Sequence, residues 1–309
     1  MKIIAVAGSS GEQGLKVVRE LSRLGVKVRA LIRNPLAADI AADFKKLNVE
    51  IIEVNFNNRD SLLKACSGVE CMVSNLSGDR DVIMKVQVEL LNACIAAGVK
   101  RFIPSAFAID FNTVPVDKNR NLAILREFDH VLETAHIKST TILTGAFADM
   151  LTGQAPFILF GLKKVIYFSN PDQKMDFTTR DNVAIYTAHA ALDETTPRYL
   201  RISGDQVSAR DLSAIMTKIE GKKFKLLKLG SISGLEIVIM VFKRMSGGNG
   251  GKYPIWQGFQ YMHNMFAGLG KFTELDNHRY QGIQWTPLES ILRSHFNPSG
   301  KNAIRKTRS

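Results

Sequence analysis

Seven residues restrict this chain more than any others: Gly8-Ser9-Ser10-Gly11-Glu12-Gln13-Gly14. They follow residues 2–7, an isoleucine- and valine-rich run too short for a helix. They open a helical pattern carried by Val17, Val18, Leu21 and Leu24. A GxxGxxG at a strand-to-helix junction has a physical reading. Gly8 permits the tight turn out of the strand, Gly11 lets the backbone approach a pyrophosphate, and Gly14 lets helix and sheet pack closely. The helix start then offers unpaired N–H groups and a positive dipole end to phosphate oxygens.

The rest of the first 150 residues repeats that rhythm. Strands are expected at 26–32, 49–54, 69–76, 99–104 and 139–144, with helices at 36–47, 60–66, 82–97 and 121–135. Short apolar strands alternating with helices specify a parallel sheet covered on both faces. The expected fold is α/β, a Rossmann-type doubly wound sheet. The alternation fades after Gly145. Strands are expected at 164–168 and 199–203, and helices at 181–191 and 209–220. Two longer helical patterns, 235–245 and 256–266, flank the glycine-rich stretch 246–251. The expected division is 1–150 for the dinucleotide domain and 151–300 for a smaller, mostly helical substrate lobe interleaved with the last strands of the sheet. A basic disordered tail is expected over 301–309.

In such sheets ligands bind beyond the carboxyl ends of the strands. The second strand ends Leu31-Ile32-Arg33-Asn34-Pro35. An acid there suits a free ribose 2′-hydroxyl, whereas Arg33 suits a 2′-phosphate gripped by two charged hydrogen bonds. The cofactor expected is therefore NADP(H). A solvated strand-end charge is the plainer reading of Arg33. Asn55 is expected near the adenine, Leu76 and Ser77 near ribose and pyrophosphate, and Ser105 and Phe107 on the nicotinamide side. With Gly8, Ser9, Ser10, Gly11, Gln13, Gly14 and Arg33 they complete the expected cofactor set.

Charge is uneven. Residues 1–150 hold 19 basic and 17 acidic residues, and the remainder holds 22 and 12. A basic surface suits nucleic acid or an anionic ligand, yet no basic helix, zinc finger or aromatic-studded strand supports nucleic-acid reading. Three cysteines without a CxxC pair indicate neither a disulfide framework nor a metal site. No apolar run approaches the ~20 residues of a membrane span. With no signal peptide read at the N-terminus, the expected setting is cytoplasmic, with a small-molecule substrate and neither nucleic acid nor membrane as partner.

The glycine loop, Arg33-Asn34-Pro35, Val99 to Ser105 and Met175 to Asp181 together resemble the NmrA-like branch of the atypical short-chain dehydrogenase/reductase superfamily. The resemblance spans about residues 1–300. It implies the fold and a nicotinamide cofactor. Its relatives range from isoflavone-type, benzylic ether and quinone reductases to non-catalytic redox sensors, so it leaves the chemistry open. The superfamily's Tyr-x-x-x-Lys pair is absent. Reductases of this branch instead place a lysine early in the helix before the 139–144 strand, where this chain has Leu125. Lys118, in Asp117-Lys118-Asn119-Arg120-Asn121, is the alternative proton donor, or else a surface charge. Trp256, Tyr261, Met262, His263 and Phe266 fall at helical spacings that suit an apolar pocket wall or a packed core equally. Two functions follow. One is an NADPH-dependent reductase of a small aromatic or conjugated carbonyl-type substrate. The other is a non-catalytic NADP(H) sensor that binds a protein partner.

Overall fold

The computed structural model describes residues 2–247 and 254–296. Residues 248–251 of the expected glycine-rich loop and all of the expected tail lie outside the described residues. The chain forms two compact units. One comprises Met1–Thr144, Arg180–Ile202 and Thr273–Ile283, and the other Gly145–Thr179, Ser203–Phe272 and Gln284–Ser309. The first break thus falls at Thr144 rather than at 150.

The first unit is built on a parallel sheet. Its strands are β1 (Ile3–Ala7), β2 (Lys27–Ile32), β3 (Glu50–Glu53), β4 (Val69–Ser74), β5 (Arg101–Ile103) and β6 (Lys138–Ser139), in the order β3-β2-β1-β4-β5-β6. Successive β-branched and small side chains bury Ile4, Ala5, Val6 and Ala7 completely, as a strand covered on both faces requires. Register places Ala7 opposite both Leu31 and Ser74, and Val73 opposite Ile103. The carboxyl ends of β1, β2, β4 and β5 therefore share one edge. The helices are α1 (Glu12–Arg23), α2 (Ala38–Lys46), α3 (Arg59–Cys66), α4 (Gln87–Ala96), α5 (Arg120–Thr134) and α6 (Arg180–Leu192). Leu90, Leu91, Phe102, Phe128 and Leu132 are prominent in the core between α4, α5 and the sheet.

Two elements differ from their expected form. The helix expected over 82–97 opens with a π turn, Val82–Val86, before α4. A widened turn shifts the phase of the side chains that follow. The strand expected over 139–144 is split at Thr140. There the chain leaves β5, through Thr140 N–H to the Phe102 carbonyl at 3.1 Å. It then joins a new neighbour, through Thr141 N–H to the Arg198 carbonyl at 2.8 Å. The continuation, β7 (Thr141–Leu143), pairs in parallel with Tyr199–Arg201.

Among the described residues the second unit carries four α-helices: α7 (Ala209–Glu220), α8 (Ile232–Met245), α9 (Ile255–Phe266) and α10 (Leu288–Phe296). It also has, among the described residues, two three-stranded sheets, of which the sequence pattern announces only the strand at 164–168. One joins Lys225–Gly230, Lys164–Phe168 and Ile158–Leu159; the other joins Asp205–Val207, Met175–Thr178 and Ala146–Phe147. Ser208 starts α7 with a reciprocal cap. Its hydroxyl accepts from Asp211 N–H while the Asp211 carboxylate accepts from Ser208 N–H at 2.7 Å.

Candidate dinucleotide site at the carboxyl edge of the sheet

The glycine loop leaves β1 with Gly8 at φ +72°, in the left-handed region. A Cβ on Gly8 would lie 2.6 Å from the Asn75 carbonyl oxygen, and one on Gly14 would lie 2.2 Å from that of Gly8. Neither position accepts a side chain. Gly11 has more room, its nearest neighbour being the Gly8 oxygen at 3.3 Å, and it is exposed. Ser9 is buried and donates its hydroxyl to the Leu31 carbonyl at 3.1 Å, tying the loop to β2. Ser10 is exposed. Gly11 is the N-cap of α1 and brings no capping side chain. The first-turn N–H groups are therefore open to an anion. Gln13 keeps its Oε1 buried without a hydrogen-bond partner among the described residues. Its Nε2 donates to the Arg180 carbonyl at 3.2 Å, and Glu12 Oε1 lies 3.2 Å from Arg180 Nε. The start of α1 is thus braced against α6.

The other sequence-chosen residues follow the remaining strand ends along this edge. Arg33, one residue beyond β2, is exposed and makes no ion pair among the described residues. Asn55 lies beyond β3, and its Oδ1 accepts from Asn57 N–H at 3.0 Å in a local turn. Leu76 packs partly on the core and Ser77 is exposed. Ser105 donates its backbone N–H to Gln87 Oε1 at 2.9 Å, and Phe107 is half-buried.

Two residues that the sequence does not single out belong beside them. Asn75 follows β4 directly, and both its Oδ1 and Nδ2 are buried without a protein partner among the described residues. Gln87, the first residue of α4, is wholly buried, and its Nε2 likewise has none. An unpaired buried amide costs roughly 1–3 kcal/mol, so such groups call for a polar ligand or water. Together with the glycine cradle they fit a dinucleotide laid along this edge. A lone buried amide has no periodicity or spacing, and nothing in the sequence marks either residue.

Beyond β5 the chain runs through residues 104–119 before α5, a length that favours a functional loop over a simple connection. It is pinned throughout. Asp110, buried, receives Arg201 Nε at 2.9 Å, and Thr144 N–H reaches the Ala108 carbonyl at 2.9 Å. Arg126 of α5 donates to the Phe111 and Val114 carbonyls. Lys118 ends this loop, half-buried in the short turn Val116–Lys118. Asn119 then caps α5, accepting from Asn121 and Leu122 N–H at 3.1 and 3.2 Å. A helix joining two parallel strands starts at the carboxyl edge, which puts Lys118 on the side of the glycine loop. Leu125 packs against the core from α5. In the second unit, Trp256, Met262 and Phe266 are buried. Phe266 stacks on Phe157 at 5.3 Å, and His263 Nε2 lies 3.0 Å from Glu236 Oε1.

Residues 1–285 match the NmrA-like family. A bifunctional pinoresinol-lariciresinol reductase of Linum perenne is 30% identical over 247 residues, covering 73% of this chain and 77% of the relative. Among solved structures, AtPrR2 with NADP+ and (+)-pinoresinol superposes with a TM-score of 0.78 at 22% identity, covering 95% of this chain and 98% of that one. The NADPH-dependent quinone oxidoreductase QOR2 of Escherichia coli, complexed with NADPH, gives a TM-score of 0.75 at 20% identity, covering 95% and 100%.

Proposed function

The chain belongs to the NmrA-like family, and on that footing we propose that it is an NADP(H)-dependent reductase of a small aromatic or conjugated substrate. One observation carries the proposal. The glycine cradle that opens α1 lies on the same sheet edge as the buried, partnerless amide groups of Asn75 and Gln87. Bound there, NADPH supplies a hydride. The first-turn N–H groups of α1 hold the diphosphate, and Arg33 pairs with the 2′-phosphate. Asn75 and Gln87 orient the dinucleotide through their amides. Ser105, fixed by Gln87, and Lys118, fixed by the pinned loop, serve the substrate side. Lys118 gives the proton in place of the lysine that the family resemblance puts at Leu125.

Leu125 is also the observation that favours a second reading, a non-catalytic NADP(H) sensor with a protein partner. A single comparison separates the two. NADPH affinity and NADPH consumption are measured for the wild type and Lys118→Ala over quinones, enones and benzylic ethers. The reductase reading expects turnover by the wild type, and a loss of ~10²–10⁴-fold in the variant with NADPH affinity nearly unchanged. Binding without consumption of any substrate supports the sensor. Turnover indifferent to Lys118 removes that residue and leaves the reductase.

A further inference from the structure

Helix α8 carries its apolar face outward. Six of the eleven large hydrophobic side chains exposed among the described residues stand on it: Ile237, Val238, Met240, Val241, Phe242 and Met245. At 100° per residue they span on the order of 200° of its circumference. Two of its charged side chains engage α9 instead. Glu236 meets His263, and Lys243 Nζ lies 5.7 Å from the centre of the Trp256 ring. Met240 and Met245 are 62% and 78% exposed, and Ile255, at the start of α9, is 71% exposed. An ordinary surface helix has the reverse arrangement, and a cluster of this kind marks an interaction site.

The charge that the chain carries next to this face in sequence selects the partner. Between Gly221 and Gly247 the chain has six basic residues, Lys222, Lys223, Lys225, Lys228, Lys243 and Arg244, all exposed, against one acid, Glu236. We propose that the outward face of α8 docks on an anionic bilayer surface, its aliphatic side chains entering the acyl boundary while Lys222, Lys223, Lys225, Lys228 and Arg244 meet the headgroups. A second copy of this chain is a poor occupant, because a two-fold contact sets each basic group against its own kind. A partner protein is disfavoured too. The face is a convex rod of mainly Ile, Val and Met, without the exposed Trp or Tyr that anchor protein interfaces. An aliphatic helix face with a run of exposed basic residues just before it in the chain fits the pattern of interfacial helices. At 14 residues, α8 is about 21 Å long, short of a ~30 Å hydrocarbon core. No described helix is long and apolar enough to cross a membrane, and an interfacial helix need not be. The sequence expectation of no membrane partner rested on spanning length alone.

The test is flotation of the full chain with phosphatidylcholine vesicles, with and without phosphatidylserine. The wild type should float with the anionic vesicles, weakly with neutral ones, and less at high salt. The doubly substituted Met240→Glu, Val241→Glu chain should lose at least about tenfold in vesicle affinity. So should Lys225→Glu, Lys228→Glu, since each basic residue near such a surface contributes about fivefold. Both variants should keep the wild-type melting temperature, because all four side chains are exposed. Three results would each overturn the proposal: no preference for anionic vesicles, binding indifferent to both variants, or a dimer in light scattering that the α8 variant splits while vesicles stay unbound. None bears on NADPH binding, so the reductase reading stands or falls separately.

Discussion

At the scale of single residues, the cofactor choice rests on a guanidinium. Arg33 is exposed at the end of β2 and has no ion pair among the described residues, so pairing with a 2′-phosphate would cost no existing contact. Charge-assisted bonds of this kind contribute about 1–3 kcal/mol. Titration of both cofactors should show NADPH bound roughly 5–150-fold more tightly than NADH. Arg33→Ala should erase most of that gap, and equal affinities in the wild type would remove Arg33 from the site. Asn75 makes a prediction of unusual sign. Its two amide atoms are buried without partners, so the near-isosteric Asn75→Leu removes a penalty from the empty protein. Chemical denaturation without cofactor should show stability unchanged or raised, while NADPH affinity falls by roughly tenfold, a loss of about 1.4 kcal/mol. A variant that is destabilised yet binds NADPH normally would make Asn75 purely structural.

Among the elements, α5 does most to close the sheet beyond β5. Asp129 on α5 is buried and holds three donors: Arg198 Nη2 at 2.6 Å, the Tyr199 hydroxyl at 2.5 Å and the Thr141 hydroxyl at 3.2 Å. Burial and this carboxylate push the Tyr199 phenol up to about 12, so it stays a donor throughout the working pH range. Asp129→Ala would strand all three, at a cost of about 3 kcal/mol. The denaturation midpoint should fall accordingly, and a shift below a few tenths of a kcal/mol would mean the cluster does not hold the edge. How far the sequence discloses such elements depends on pattern length. The central strands and α1 are legible because continuous β-branched runs and a Val17–Val18–Leu21 stripe repeat over several residues. The pairs Ala146–Phe147 and Ile158–Leu159 are too short to show a period. Lys225–Gly230 reads KLLKLG, a pattern that fits a helix as well as a strand. Of the candidate site, the glycine loop and Arg33 are legible because a local turn and a strand end define them. Asn75 and Gln87 acquire meaning only when strands distant in sequence meet. The π turn ahead of Gln87 cannot be read from a pattern that assumes 3.6 residues per turn.

For the molecule as a whole, the first unit depends on returning segments. Asp193, just past α6, accepts from Arg279 Nε at 2.8 Å, the Tyr280 hydroxyl at 2.9 Å and the Thr195 N–H at 2.8 Å. Burial alone would raise the Asp193 carboxyl, but the bonds from Thr195, Arg279 and Tyr280 outweigh it and hold its pKa far below the usual range. A depressed carboxylate stabilises the fold above the unfolded value near 4. That contribution is lost as pH falls from there through the lower folded value. Asp193→Asn should therefore cost on the order of 1–3 kcal/mol at neutral pH and flatten the acid limb of the stability profile. Thermal melts across pH read both effects, and parallel wild-type and variant profiles would count against the linkage.

The order in which the chain leaves the ribosome gives this arrangement a further meaning. The glycine loop is made more than a hundred residues before its brace on Arg180, and the partners of Asp193 lie later still, at Arg279 and Tyr280. A nascent chain that ends at Thr144 has its glycine loop but neither clamp, and the strand Tyr199–Arg201 that pairs with β7 does not yet exist. The second-unit segments Gly145–Thr179 and Ser203–Phe272 must be synthesised before the first unit can be finished. Synthesis at ~5–20 residues per second leaves the exposed edge of β7 waiting for several seconds. The first unit is therefore finished only after segments as distant as Arg279 and Tyr280 have been made.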